Sequence, residues 1–302
     1  MPSAHAAHPT SPSFAPDVHP QFLELSRTLK SRPLVMGILN VTPDSFSDGG
    51  RWLDPGAAVA HALEMAAAGA DLIDVGGEST RPGAPPVPPD EEMGRVLPTL
   101  RALRKARPGL PLSVDTQKAG VALRAVEAGA CLINDVSALL GDPDMPAAAA
   151  ASGAGVCLMH HLDKPRDAVW SHQEGSRYGP EGVTAAVIRF LEGRIRACAE
   201  AGIARERLWL DPGLGFGKSV SDNLRLLKDL PLLAPLGLPL LVGPSRKSFV
   251  GAALGGLPVE ERLAGTLAAG VVALWLGAAV LRVHDVKEAV QAGRMVSAIR
   301  AA

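Results

Sequence analysis

From residue 34 to residue 39 the chain is apolar apart from one glycine, and it turns polar at Asn40. A run this short is too brief for a core helix and suits a strand covered on both faces. The Thr, Pro, Asp, Ser and Gly residues that follow read as a loop. The phrase then returns. AGADLID at 68–74 is echoed by AGACLIN at 128–134, and more loosely by SGAGVCLMH at 152–160 and LGAAVLRVH at 276–284. In each copy a helix is expected to end at the glycine, which takes the left-handed C-terminal conformation without steric cost. A short apolar strand then starts and finishes on a residue able to hydrogen-bond.

Between the copies the spacing predicts helices, for example over 57–67 and 117–128, and further strands over 112–115, 208–211 and 240–243. Counted from Leu34, eight strands alternate with helices, which is the pattern of an α/β chain folded as a (β/α)8 TIM barrel. A doubly wound sheet is the alternative, but no Rossmann glycine fingerprint follows the first strand. The strand ends read Asn40, Asp74, Asp115, Asn134, His160, Asp211, residues 245–248, and Arg282 with His284. In a barrel such positions converge on one rim, where active sites are built. A polar pocket holding acids and bases is therefore expected there.

Composition narrows the options. The chain has 302 residues, 47% of them hydrophobic, which is enough for a full core in one domain. We expect that domain over 20–302, after a poorly ordered extension over 1–19 that lacks both a basic and an apolar signal region. Thirty Lys and Arg against 31 Asp and Glu, with only 4% aromatics, argue against a nucleic-acid partner. The apolar run over 267–281 is broken at Gly277 and falls short of the roughly 18–20 residues of a membrane span. Cys131, Cys157 and Cys198 follow no metal spacing and read as buried thiols in a reducing, cytoplasmic setting.

Three loops carry candidate chemistry. GLGFGKS at 213–219 looks like a phosphate loop but has one residue too few before Gly-Lys. Its glycines are expected instead to let the backbone approach a ligand beside Asp211, with Phe216 offering an aromatic face. GGESTRPG at 76–83 opens a long Pro-rich loop, in which Arg81 has the forked cation suited to phosphate oxygens. SRKS at 245–248 follows the seventh strand, where barrels often bind anions. Arg246, Lys247, Arg282 and His284 together suggest an anionic substrate. No Gly-x-Ser-x-Gly, His-Glu-x-x-His or Cys-x-x-Cys motif is present, so no activated nucleophile is evident.

In these stretches the chain resembles the dihydropteroate synthase family of pterin-binding TIM barrels. The residues that carry the resemblance are MGILNVTPDSFSDGG (36–50), IDVGGESTRPG (73–83), SVDT (113–116), INDV (133–136), CLMH (157–160), LDPGLGFGK (210–218), PSRKS (244–248) and RVHDV (282–286). The resemblance implies a transferase of folate biosynthesis that joins 6-hydroxymethyl-7,8-dihydropterin diphosphate to 4-aminobenzoate. By motif, Asp115, Asn134, Asp211 and Lys247 would hold the pterin, with Met159 as an apolar wall. Asn40, Arg81, Arg282 and His284 would hold the diphosphate, and Mg2+ would bind through Asn40, with Asp44 and Asp48 as further candidates. Thr80, Pro82, Phe46, Phe216 and Ser248 would frame the aminobenzoate, whose carboxylate would meet Ser248 and its helix N-terminus. Asp115, Lys247, Arg282 and His284 are the expected catalytic set, in a cytoplasmic homodimer. The chain departs from the family's pattern over 161–180. A pterin-dependent methyltransferase or a non-catalytic pterin-binding relative is the alternative, although the first would not need the 42–50, 79–83 and 245–248 segments kept here and the second would lose a loop or a diphosphate ligand.

Overall fold

The computed structural model describes residues 18–42, 55–81, 83–161 and 176–302. Asp44, Phe46, Asp48 and Pro82 lie outside the described residues, as do residues 1–17 and most of the 161–180 segment. Eight parallel strands form the centre: β1 (Leu34–Asn40), β2 (Leu72–Gly76), β3 (Leu112–Asp115), β4 (Leu132–Asp135), β5 (Gly155–Met159), β6 (Leu208–Asp211), β7 (Leu241–Val242) and β8 (Val280–Val283). They pair in the order β6-β5-β4-β3-β2-β1-β8-β7, and a bridge between Leu210 and Leu240 joins the two ends. The barrel expected from the repeated phrase is therefore the fold.

The helices around it are α1 (Pro20–Thr28), α2 (Pro55–Ala67), α3 (Pro89–Ala106), α4 (Ala119–Glu127), α5 (Met145–Ser152), α6 (Gly182–Glu200), α7 (Val220–Lys228), α8 (Ser248–Ala253), α9 (Leu263–Trp275) and α10 (Val286–Ala301). Gly69, Gly129, Gly153 and Gly277, the glycines of the four phrase copies, all have positive φ. The strands read as continuous apolar runs because both faces are covered. Val35, Leu39, Ile73, Val75, Val114 and Ile133 lie in the layer beneath the helices. Leu34, Met36, Leu72, Leu132, Cys157, Trp209, Leu241 and Val280 form a separate cluster inside the barrel. All three cysteines are buried free thiols.

One element had no sequence expectation. Helix α1 closes the inner cluster from below with Phe22 and Leu25. Its start is capped by His19, whose Nδ1 accepts the Gln21 N–H at 3.3 Å, while the His19 N–H donates to the Gly153 carbonyl at 2.9 Å. The Phe22 ring lies 5.3 Å from the Trp209 ring. It comes so near Gly155 that a Cβ there would stand 2.1 Å from the ring. With that floor in place, the inner cluster is covered at the strands' N-terminal ends.

Candidate active site

Side chains alternate along a strand, so two steps up from each inner apolar residue is another inner residue. From Leu72, Leu132, Trp209 and Val280 this reaches Asp74, Asn134, Asp211 and Arg282, and from Cys157 it reaches Met159. Register agrees: Asp115 stands beside Asn134, and Met159 beside Asp211. One further alternation takes Met36 through Ile38 to Asn40, and Arg282 to His284. Asn40, Asp115, Asn134, Met159, Asp211, Arg282 and His284 thus share one inner rim, as expected. His160 does not. It follows Met159, so its side chain points into the helix layer, with its ring 4.9 Å from that of Phe190. Burial pushes its pKa down to about 2, so it offers the rim no charge.

An ion cluster crosses the pocket. Arg282 Nε donates to Asp74 Oδ2 at 2.7 Å and its Nη2 donates to Asp115 Oδ2 at 2.8 Å. Asn134 Nδ2 donates to the same Asp74 oxygen at 2.8 Å. Asp74, which the sequence reading left out of the site, is thus the link that orients both Asn134 and Arg282. Its place at a strand end was the available signal. Burial pushes Asp115 up to about 7, against the opposing charge of Arg282 and with help from Asp74, Glu92 and Asp135.

On the opposite side Asp211 Oδ1 accepts the Gly213 N–H at 2.7 Å, and burial raises its pKa. Lys247 Nζ donates to the Leu214 carbonyl at 2.6 Å and sits 4.0 Å above the Phe216 ring. Burial lowers its pKa to about 8, although Asp211 pulls the other way. The 213–219 loop is held from behind by Lys218, which is fully buried. Its Nζ donates to the carbonyls of Gly213, Phe216 and His160 at 2.7, 3.2 and 3.3 Å. Three carbonyls use up an ammonium's three donors, so this lysine cradles no phosphate. Two of the loop's glycines are required by the protein's own packing. A Cβ on Gly213 would lie 1.8 Å from the His160 carbonyl oxygen, and one on Gly215 would lie 2.5 Å from Lys247 Cδ. They make room for the protein itself, which brings Lys247 and Phe216 together.

The basic groups are fewer than the sequence suggested. Arg246 is ion-paired with Asp285, its Nε donating at 3.0 Å, and its N–H donates to Thr266 Oγ1 at 3.0 Å. It fastens the strand β7 end to the β8 end. His284 Nδ1 lies 2.9 Å from Ser245 Oγ. Burial, together with Arg246, Arg282, Arg81 and Lys247, holds its pKa at about 3. His284 therefore enters the site as a neutral imidazole, a hydrogen-bonding group rather than a cation. Arg81 is thus among the charges that reach it. Thr80, Arg81, Phe216 and Ser248 are half-buried at the rim.

A metal would find hard oxygen donors here. Asn40 ends β1 on the inner face, and a Cβ on Gly76 would lie 3.5 Å from its Oδ1. Gly76, which pairs with Asn40 across the two strands, adds no side chain beside that oxygen. Among the described residues no cluster of three or more His, Cys, Asp or Glu side chains could hold an ion. One amide plus substrate phosphates is a donor set that suits Mg2+, which usually takes few protein ligands.

The comparisons with known proteins agree with this geometry. The family model described as pterin binding enzyme matches residues 36–284. The dihydropteroate synthase of Escherichia coli strain K12 is 49% identical over 268 residues, covering 89% of this chain and 92% of that protein. The Yersinia pestis dihydropteroate synthase, solved with a sulfonamide drug complex, superposes with a TM-score of 0.84 at 48% identity, covering 90% of this chain and 96% of that one. For the Xanthomonas albilineans dihydropteroate synthase with 4-aminobenzoic acid the TM-score is 0.81 at 49% identity, with 90% and 94% covered. The chain belongs to the dihydropteroate synthase family. The fold adds the linking role of Asp74 and the loop-holding role of Lys218.

Proposed function

We infer that this protein condenses 6-hydroxymethyl-7,8-dihydropterin diphosphate with 4-aminobenzoate, giving 7,8-dihydropteroate and diphosphate in folate biosynthesis. One observation carries most weight. Two buried carboxylates, an amide and a lysine stand deep on one inner rim, beside a guanidinium and a neutral imidazole. Carboxylates and an amide oxygen accept from the pterin's amino and ring N–H groups, and Lys247 donates to its carbonyl side. We assign the ring to Asp115, Asn134, Asp211 and Lys247, with Met159 against its face.

Arg81, Arg282 and His284 take the diphosphate nearer the mouth. Thr80, Phe216 and Ser248 take the aminobenzoate, and Phe46 and Pro82 complete that frame by sequence match. The reaction needs no enzymic nucleophile, because an aniline nitrogen is neutral at physiological pH and keeps its lone pair. The demanding event is cleavage of the C–O bond to diphosphate, which leaves positive charge on the pterin. Asp115 faces that charge, while Arg282 and the His284 hydrogen bond stabilise the departing anion. Once the new C–N bond forms, the nitrogen is acidic enough to lose its proton to water.

Asn40 is the residue we assign to Mg2+, with Asp44 and Asp48 as further sequence candidates. When bound, the ion neutralises charge on the leaving diphosphate. We also propose a cytoplasmic homodimer. Its support is the exposed apolar face of Val272 and Trp275 on α9 and Met295 and Ile299 on α10, together with the three free thiols. Among the described residues no helix is long and apolar enough to cross a membrane. Sedimentation should give twice the chain mass, and a monomer at micromolar concentration would sink the dimer.

The test of function is diphosphate release. It should depend on both 4-aminobenzoate and Mg2+, and chelation should abolish it. A pterin-dependent methyltransferase would release no diphosphate, and a binding-only relative would bind the pterin without turnover.

A further inference from the structure

The loop after β2 carries Thr80 and Arg81, and the residues on either side of them fasten it to the barrel. Its start lies directly on α3, since a Cβ on Gly77 would stand 2.8 Å from Val96 Cγ1 and 3.0 Å from Glu92 Cγ. Arg95 Nη1 donates to the Gly77 carbonyl at 2.7 Å. The next residue, Glu78, uses both carboxylate oxygens. Oε1 accepts the Val87 N–H at 2.8 Å, which ties the start of the loop to its end. Oε2 accepts from Lys118 Nζ at 2.6 Å. Lys118 also donates to Glu92, whose side chain is completely buried in the first turn of α3.

Lys118 thus stands between two carboxylates from different elements. It precedes α4 and follows the Asp115–Thr116 end of β3, so the clasp connects the loop to a strand that delivers a site carboxylate. Burial on its own would lower the lysine's pKa, but hydrogen bonds and charge from Glu78 and Glu92 outweigh it and raise the value. Burial raises Glu92 despite Lys118. A buried carboxylate that loses its partner is strongly destabilising. The lysine is therefore committed to this place, and nothing in the pterin pocket uses it.

We propose that Lys118 is a positioning residue for the reaction: by clasping Glu78 to Glu92 it holds the β2 loop where Thr80 and Arg81 meet aminobenzoate and diphosphate. The proposal rests on the synthase reading above. It separates two halves of the substrate pair. The pterin ring is assigned to Asp115, Asn134, Asp211 and Lys247, and neither Lys118 nor Glu78 hydrogen-bonds any of them, although the charge of Glu92 reaches Asp115. Ligands that reach Thr80 and Arg81 should feel its loss, and a bare pterin should not.

The test compares the full-length wild type with Lys118→Met and Glu78→Gln. The second variant keeps the side chain's size and an oxygen for Val87 while weakening the ionic grip. If the clasp keeps the loop ordered and its loss lowers the competent population to about a tenth, apparent affinity falls by about tenfold. We therefore expect KM for 4-aminobenzoate and for the pterin diphosphate to rise by about that factor in Lys118→Met, and by less in Glu78→Gln. Affinity for 6-hydroxymethylpterin lacking the diphosphate should stay within about twofold, which also reports a folded barrel. The Val87 amide should exchange faster in both variants. Unchanged KM values, or equal weakening of bare pterin and of aminobenzoate, would overturn the proposal. Should Lys118→Met not fold, Glu78→Gln decides by the same comparison. A wild type that binds pterin but releases no diphosphate refutes the reaction, and leaves the Val87 exchange result to judge the clasp.

Discussion

Asp115→Asn should lower kcat by about 10²–10³ while pterin affinity changes far less, the mark of a group that acts mainly in the transition state. Asparagine keeps the size and one acceptor but gives up the charge. In the ground state the pterin is neutral and an amide oxygen serves almost as well. As the C–O bond breaks, the ring becomes cationic, and only a carboxylate offers Coulombic stabilisation. Asp211→Asn is the control. Asp211 already accepts the Gly213 N–H at 2.7 Å and faces Lys247, so its loss should chiefly weaken pterin binding. The two variants should also differ in pH dependence. Asp115 must be ionised to act, and its pKa lies at about 7. In the wild type kcat/KM should therefore climb as pH rises through neutrality, and that acid limb should be missing from Asp115→Asn. A kcat near wild type would show that Asp115 only grips substrate.

The second large effect belongs to Arg282. Its guanidinium is the counter-charge for both Asp74 and Asp115, at 2.7 and 2.8 Å. Arg282→Met keeps much of the stem and leaves the carboxylates buried without a cation. Breaking a buried pair in this way costs about 3–5 kcal/mol. The loss should depend on pH in a definite direction. Without the guanidinium the folded-state pKa of Asp115 rises further above its ordinary carboxylate value. A raised folded pKa gives stability that is present at low pH and lost as pH rises through that value. The gap in Tm between variant and wild type should thus be wide at pH 8 and narrow towards pH 5. Adding Asp115→Asn to Arg282→Met should restore part of the stability, because one stranded charge is removed. Additive losses in the double variant would mean that the two groups do not share the bond.

Much of this architecture was legible because a parallel barrel writes its strands plainly. Covered on both faces, they are short apolar runs, and the glycine before β2, β4, β5 and β8 is fixed by its positive φ. The floor was not legible. Helix α1 is only nine residues long, follows a stretch of Ala, His and Pro, and shows little more than His19-Pro20 and the pair Phe22 and Leu25. Its stability comes from Trp209 and the missing side chain of Gly155, which no local pattern displays.

At the site, locating strand ends was not the same as locating side chains. Met159 and His160 both end β5, but alternation sends them to opposite faces. Charge was harder still. Arg246 reads as an available cation until Asp285 is found beside it, and His284 reads as basic until three arginines and a lysine surround it. Lys218 occupies a phosphate-loop phrase and spends all its donors on carbonyls. Such pairings are set by tertiary contacts between segments far apart in the chain. They are therefore invisible in a string of residue types.

The floor of the barrel also has a bearing on how the chain folds. Phe22 leaves the ribosome well before its seat, which is built from Gly155 and Trp209. The first helix therefore cannot dock when it emerges, and must stay undocked while five strands and their helices are synthesised. Contacts so distant in sequence are slow to form, because loop closure must precede any gain from them. Closing the bottom of the barrel is thus a late event in folding. Fragments that stop short of β6 should expose Phe22 and Leu25 as an unburied apolar pair, a surface of the kind that chaperones bind in incomplete chains.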